Sequence, residues 1–509
     1  MTNFAQHAKP KTNRLFLSSL KNASWSLVDY LVMPILLLVS TPLFVRKLGV
    51  DQYGVWMLVN SMLGFSGIMS FGMTGATVKY VAKYRAQNDE HGVSTVVQSA
   101  LTLYLILGVL TSCSLYLAAP LLIEHVFTVQ QSNSVLAIQS VQIAGIGLTV
   151  RFVDEVFLAL FQGYERYDLA AIITIPTNLV TFAINVVLVS LGYDIVHILL
   201  ASLAILGFSS FIKLIIGKIV VLPSLSILPR LNRTTMNEIF GFGLYSWLQS
   251  IGSVLFSQID RLIIASVLGT TVLTYYSVAM QLAQQINTLL SRTVAFIFPL
   301  SSAAHERGDV AKMRAVYFTS MKFVVAAAVA MGAPMYIFSS QILTFWMGSD
   351  FAVHSAPLLR TLSVSSVLLA TSVVPFYYMN GTGYVRFNTL ATLTSGSMVA
   401  LATIITIPLY GANGAAWSRF AMLPVSIVSR TILHYKVFQD RRWYIGALII
   451  MPALIPFVFA NSIFSFVSTL KFSLYTLSIG ITLTGVIHAV VVMLLSVVIY
   501  KNKIIKDHM

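Results

Sequence analysis

Fourteen long apolar runs alternate with short polar segments along this chain. They lie near 23–45, 54–78, 96–120, 134–161, 168–191, 195–217, 239–268, 271–300, 316–340, 355–380, 387–408, 412–434, 443–462 and 473–499. An α-helix rises about 1.5 Å per residue, so roughly 20 apolar residues cross the ~30 Å hydrocarbon core of a bilayer. The pattern therefore predicts an all-α polytopic membrane protein of about fourteen transmembrane helices. It is expected to comprise a cytoplasmic tail (1–22), a six-helix bundle (23–217), a cytoplasmic linker (218–238), a second six-helix bundle (239–434), a helix pair (443–499) and a cytoplasmic tail (500–509). The longest outer connection, around 341–354, leaves no room for an inserted soluble domain.

Composition agrees. Hydrophobic residues make up 57% of the 509 and charged residues 10%, against about 25% charged in soluble domains. Mean hydropathy is +0.83. The net charge of +15 would suggest nucleic acid as a partner on a soluble protein. Here the charges lie between apolar runs, so they report topology instead, and no nucleic-acid partner is expected. On the fourteen-helix layout 21 of the 32 Lys and Arg fall in predicted cytoplasmic segments, and three (Arg46, Lys47 and Lys471) in outer ones. That is the positive-inside asymmetry, and it places both termini in the cytoplasm. The first run is too long for a signal peptide, contains Asp29 and lacks a small-residue cleavage site. A single cysteine, Cys113, excludes an intrachain disulfide.

Landmarks repeat between the halves. Lys47-Leu48-Gly49 with Tyr53 corresponds to Val267-Leu268-Gly269 with Tyr275, and Phe161-Gln162-Gly163-Tyr164 to Met379-Asn380-Gly381-Thr382. Leu191-Gly192-Tyr193 corresponds to Leu409-Tyr410-Gly411. The nearly constant offset implies two six-helix repeats and a final helix pair. An even number of helices per repeat inserts both copies the same way up, with a pseudo-two-fold along the membrane normal.

No enzyme signature is present: no phosphate-binding Walker loop, no His-Glu-x-x-His, no cysteine–histidine metal spacing. No cofactor or metal is expected. The informative residues are polar ones inside the spans, because ionisable groups there are costly and usually face a bundle interior or a wet cavity. The seventh run carries Ser246, Gln249, Ser250, Ser253, Ser257 and Asp260 at helical spacing, with Arg261 adjacent. The eighth carries Ser277, Gln281, Gln284, Gln285, Thr288, Ser291 and Arg292. Two such stripes suggest the wall of a polar cavity, or hydrogen bonding that holds the bundle together. Arg292 and Arg419 lack an acid at i±3 or i±4, which suits an anionic ligand. The alternative is an acid on another helix: Asp29, Asp260 or Glu155. Arg151 and Glu155, at i and i+4, can pair beside Asp154 as a structural bridge or as a gate. Asp29 precedes Pro34 and is either an ion-coupling acid or an interfacial cap. Arg430, near the basic cytoplasmic side, is expected to snorkel, and Arg360 to do likewise at the outer face.

At this point the residues resemble a known family. Arg46-Lys47-Leu48-Gly49-Val50-Asp51-Gln52-Tyr53-Gly54-Val55-Trp56 is similar to the segment after the first helix of polysaccharide exporters and O-antigen flippases, within the multidrug/oligosaccharidyl-lipid/polysaccharide exporter superfamily. Asp260-Arg261-Leu262 through Gly269 to Tyr275 resembles their seventh- and eighth-helix motif, with Thr274 where glycine is frequent. Phe161-Gln162-Gly163, Asn380-Gly381-Thr382-Gly383 and Ile407 to Ala416 resemble three further links. The resemblance covers residues 15 to about 435. It implies a flippase that moves a lipid-linked oligosaccharide, usually on undecaprenyl pyrophosphate, across a bacterial inner membrane, with Asp260, Arg261 and Arg292 in a central cavity. Candidate substrate-binding residues are Arg292, Arg419, Arg261, Gln281, Gln284, Gln249 and Ser253. Candidates for H+ or Na+ coupling or gating are Asp29, Asp260, Arg151 and Glu155. Membrane lipids and other polysaccharide-assembly membrane proteins are the expected neighbours. A multidrug exporter of the same superfamily is the alternative, though its cationic substrates call for an acidic interior; here eight Lys or Arg lie in the spans against Asp29, Asp154, Glu155 and Asp260. A membrane glycosyltransferase or ligase is a third reading, weakened by the short outer loops.

Overall fold

The computed structural model describes residues 36–70, 72–224, 226, 228, 230–440, 453–455, 457 and 474–506. All regular structure in them is helical. In order, the helices are α1 (36–48), α2 (Val50–Gly64), α3 (Ser66–Met69), α4 (Met73–Ala86), α5 (Glu90–Leu121), α6 (Ser134–Gly163), α7 (Tyr167–Ser190) and α8 (Ile195–Ile216). There follow α9 (Arg233–Val267), α10 (Thr270–Thr293), α11 (Ile297–Glu306), α12 (Val310–Ile337), α13 (Ser339–Met347), α14 (Ser349–Ala370), α15 (Val373–Gly381), α16 (Val385–Ser418), α17 (Leu423–Val437) and α18 (Leu474–Lys506).

Among the described residues, seven helices are long and apolar enough to cross a membrane, and an eighth if the bent pair α2–α3 plus α4 is one span. This is a multi-pass membrane protein. One of the seven, Val385–Val437, is 53 residues long. Straight, it would reach about 80 Å, more than twice the hydrocarbon core. It does not run straight. Gly411 takes φ 60°, ψ −142°, a conformation open to glycine and closed to residues with a Cβ. The Thr403 and Ser418 hydroxyls hydrogen-bond at 2.7 Å, although fifteen residues apart, a separation of about 22 Å along one helix. The chain therefore doubles back at Gly411, at the link expected between the runs 387–408 and 412–434.

The chain divides into two compact units. Among the described residues, unit 1 runs up to Trp247 except for 60–64 and 126–130; unit 2 takes those two stretches and everything from Leu248. In unit 1 the core packs α4, α5 and α6 around Tyr104 and Phe152, whose rings lie 5.5 Å apart. Glycine lets α5 and α6 approach closely: a Cβ on Gly108 would sit 3.0 Å from the Thr149 Cα, and the Ser112 hydroxyl donates to the Gly145 carbonyl at 2.7 Å. Small residues and hydroxyl bonds serve here because lipid supplies no hydrophobic drive between helices. In unit 2, Tyr317 lies within 5.3 Å of Tyr378 and 5.1 Å of Phe438, centroid to centroid, in a core spanning α10 to α18.

Positive-φ turns recur at the offset of the expected repeat. Gly49 and Gly269 both have positive φ (84° and 89°), as do Gly192 and Gly411 (86° and 60°). Two further pairs share it at nearly the same offset: Asn88 with Gly308 (56° and 66°) and Glu165 with Gly383 (57° and 83°). Just past the Asn88 and Gly308 turns, Asp89 caps α5 by accepting from the Gly92 amide at 2.8 Å, and Asp309 caps α12 by accepting from the Lys312 amide at 2.9 Å. The remaining sequence pair, Gly163 and Gly381, ends α6 and α15, and each is closely packed, against Val81 and Ser301 respectively.

Candidate functional site

The polar stripe of α9 ends at Asp260, which is wholly buried. Three partners from different elements saturate it. Arg419, on the 3-10 turn Arg419–Met422 after α16, donates from Nη2 to Oδ2 at 2.7 Å. The Tyr276 hydroxyl on α10 donates to the same oxygen. The Arg261 amide donates to Oδ1 at 2.9 Å. Arg419 also donates from Nε to the Tyr276 hydroxyl at 3.3 Å and from Nη2 to the Phe256 carbonyl at 3.3 Å, and its guanidinium lies 5.0 Å from the Phe256 ring centroid. Two charges taken from water are tolerable only when paired and hydrogen-bonded this fully. Of the two roles open to Arg419 in the sequence, the structure places it against Asp260.

The adjacent Arg261 reaches toward Gln258 and Gln284, each at 3.4 Å. Gln249 and Gln281 are half-buried, and Arg292, in the last turn of α10, is exposed. Asp29 lies outside the described residues, as does the side chain of Ser246.

Beside this cluster, wholly within unit 2, is a cavity of about 350 Å³. Of the sequence-predicted binding residues it takes Ser253 alone. Its other polar lining comes from Asn287 and Ser291 on α10, Ser372 between α14 and α15, Asn388, Thr392 and Ser395 on α16, and Ser426, Ser429 and Arg430 on α17. Phe256, Phe376 and Tyr377 supply aromatic wall. Among the described lining residues there is no acid.

Arg430 departs from expectation. It does not snorkel: it is 1% exposed and donates from Nη2 to the hydroxyls of Thr371 and, at 3.2 Å, Ser372. The reason is the break between α14 and α15. The tenth predicted run is interrupted at Thr371–Ser372, which places two hydroxyls at depth, and Ser372 is bridged onward to Ser426 at 2.7 Å. The Arg430 Nη2 is thus held by hydroxyls inside the unit and not at the interface.

In unit 1 the expected Arg151–Glu155 pair forms, at 3.9 Å and with Arg151 half-exposed. A bridge so open contributes little stability. Glu155 also accepts from Thr74 at 3.1 Å, and the Thr74 hydroxyl meets the Tyr104 hydroxyl at 2.6 Å. The firmer pair is Asp154 with Lys213, both oxygens accepting from Nζ at 2.9 and 2.8 Å with both residues buried. Sequence reasoning misses Lys213. Its signal is an acid and a base in neighbouring spans of one bundle, short of what fixes their heights. Among the described residues no group of three His, Cys, Asp or Glu could hold a metal.

These helices define a polytopic transporter fold, and comparison with known proteins agrees. The lipid II flippase MurJ in an inward closed conformation superposes with TM-score 0.70 at 14% identity, covering 94% of this chain and 99% of that one. An inward-facing multidrug resistance MATE family transporter of the MOP superfamily gives 0.65 at 18%, covering 83% and 98%. In sequence, a putative O-antigen transporter of Shigella flexneri is 21% identical over 79% of this chain and 94% of its own. A probable low-salt glycan biosynthesis flippase of Haloferax volcanii is 22% identical over 77% of each. The family profile described as polysaccharide biosynthesis protein matches residues 19–305. The chain belongs to that family, whose members are membrane transporters of the flippase type and not enzymes.

Proposed function

We propose that this protein flips a polyprenyl-pyrophosphate-linked oligosaccharide, the repeat unit of an O-antigen or similar surface polysaccharide, from the inner to the outer leaflet of a bacterial inner membrane. The carrier is undecaprenyl pyrophosphate. The chain crosses fourteen times with both termini in the cytoplasm, alongside other membrane proteins of polysaccharide assembly. The family match across 19–305 carries the reading. The cavity of unit 2 agrees with it: hydroxyls, amides and a guanidinium suit a sugar-bearing, anionic substrate. A multidrug exporter would present acids to its cations, and the described lining has none.

Energy comes from an H+ or Na+ gradient. Of the acids in the described spans, Asp260 is sealed by Arg419 and Tyr276 and Asp154 by Lys213, whereas the Glu155 side chain keeps 26% exposure. Glu155 is therefore the better-placed coupling group, with Arg151 as its partner.

Deleting the gene should abolish one surface polysaccharide and leave its lipid-linked units accumulating on the cytoplasmic side. Complementing the deletion with Glu155→Gln should give flipping that no longer follows the imposed ion gradient. Unchanged surface sugars with increased drug sensitivity in the deletion strain would overturn the proposal in favour of drug export.

A further inference from the structure

The cavity of unit 2 is too small for a repeat unit with its carrier. At about 350 Å³ it lies at the lower end of small-molecule pockets, roughly 300–1,000 Å³. Its chemistry narrows the occupant. Ser253, Ser291 and Ser395 line it from three different helices, and their hydroxyls make no hydrogen bond to another described residue. Serine in a helix commonly bonds back to its own preceding turn; Thr392, on the same face of α16 as Ser395, does so, to the Asn388 carbonyl at 2.9 Å. These three serines keep both donor and acceptor capacity for something else.

An isoprenyl or acyl chain would strip water from the hydroxyls and return no hydrogen bond. A cation meets no acid in the described lining. A fully ionised phosphoryl group accepts only: Arg430 and the serines can donate to it, but it leaves the acceptor capacity of the hydroxyls unused. A sugar residue matches: its hydroxyls both donate and accept, and its apolar C–H faces fit flat aromatic walls, here Phe256 and Phe376. The break at Thr371–Ser372 supplies the hydroxyls that hold Arg430, which lines the same pocket.

We propose that this cavity is a specificity pocket that takes one sugar residue of the lipid-linked glycan, read by Ser253, Ser291 and Ser395. The inference rests on the flippase reading. It adds that discrimination among glycans is made inside unit 2, by hydroxyl pairing.

The test uses the full-length protein in proteoliposomes and a set of undecaprenyl pyrophosphate-linked glycans that differ in one sugar. Each lost hydroxyl bond costs a factor of several in binding, so Ser253→Ala with Ser395→Ala should change the ratio of initial flipping rates between preferred and disfavoured glycans by roughly tenfold. Ser395→Met, which fills the pocket, should abolish the preference. The double alanine variant removes only two oxygens, so it keeps the question open if the methionine variant does not fold. Wild-type flipping together with an unchanged ratio in the double variant would overturn the pocket and leave the flippase reading standing. A wild-type protein that flips none of the glycans would overturn both.

Discussion

Asp260 and Arg419 show what single residues disclose in sequence and what they withhold. Each stands out as a charge in an apolar run, and both the ligand and the partner roles stay open because sequence spacing reveals only pairs on one helix. Their contact spans 159 positions, which only tertiary structure supplies. Tyr276 gives no signal at all, since a tyrosine in an apolar helix is ordinary. The pair makes a prediction. Removing one member leaves the other buried and uncompensated, at a cost of about 3–5 kcal/mol. Arg419→Ala and Asp260→Asn should each sharply lower the melting temperature in detergent. The double change to Met and Leu should recover most of the loss, because a well-packed apolar pair can replace a buried ion pair. If Arg419→Ala instead melts like wild type and fails to flip substrate, Arg419 is a substrate ligand.

At the scale of elements, helix positions are readable because an apolar run of roughly 20 residues has the length of a bilayer crossing and must satisfy its backbone within itself. The runs 134–161, 168–191 and 195–217 fall on α6, α7 and α8. The interruptions are less readable. The α14–α15 break has no glycine at Thr371–Ser372, and the proline beyond it, Pro375, marks a bend without saying that two hydroxyls turn inward to hold Arg430. Asn88 and Glu165 hide two of the repeat landmarks, since neither is the glycine that marks the same turn in the other half. Close helix approach is also silent. Gly252 on α9 faces the backbone of α16, where an added Cβ would lie 2.6 Å from the Leu393 Cα, and Gly396 faces the Gly252 carbonyl in return. Gly252→Val should therefore destabilise by about 1–3 kcal/mol through overpacking, seen as earlier thermal unfolding. Gly75→Ala, with no atom of the described residues within 4 Å of its added Cβ, should unfold no earlier than wild type, because it only trades glycine for a better helix former. Equal behaviour of the two variants would remove glycine contact as the reason α9 and α16 meet.

At the scale of the whole chain, the crossing count turns on where helices reverse. Counting by length and composition yields seven or eight spans among the described residues, but that count treats Val385–Val437 as one helix, and the Thr403–Ser418 contact shows that it is two antiparallel arms. It also leaves aside α6 and α10, which are 30 and 24 residues long. Both exceed the ~20 residues a crossing needs, and polar residues lower their hydropathy without shortening them: Arg151, Asp154 and Glu155 inside α6, and Gln281, Gln284, Gln285 and Asn287 with the terminal Arg292 in α10. If each of these crosses, Gly411 lies on the same side as Gly192, its repeat partner, and the Gly308 turn on the same side as the Asn88 turn. Basic residues then choose the side: Lys79, Lys83 and Arg85 precede Asn88, and Arg307, Lys312 and Arg314 surround Gly308, which the positive-inside rule assigns to the cytoplasm. Reporter fusions at Glu90, Asn232 and Gly308 should therefore read inside, and fusions at Ser132, Asp194, Asp350 and Gly411 outside. The Gly411 fusion is the most exposing of these, because an inside signal there would mean that the hairpin dips into the membrane and returns without crossing. Two crossings and none bring the chain back to the same side, so every later segment would keep its side, with the final lysines Lys501, Lys503 and Lys506 inside as the charge rule asks; only the crossing count would fall, by two, which is why this fusion and not the terminal charges decides it.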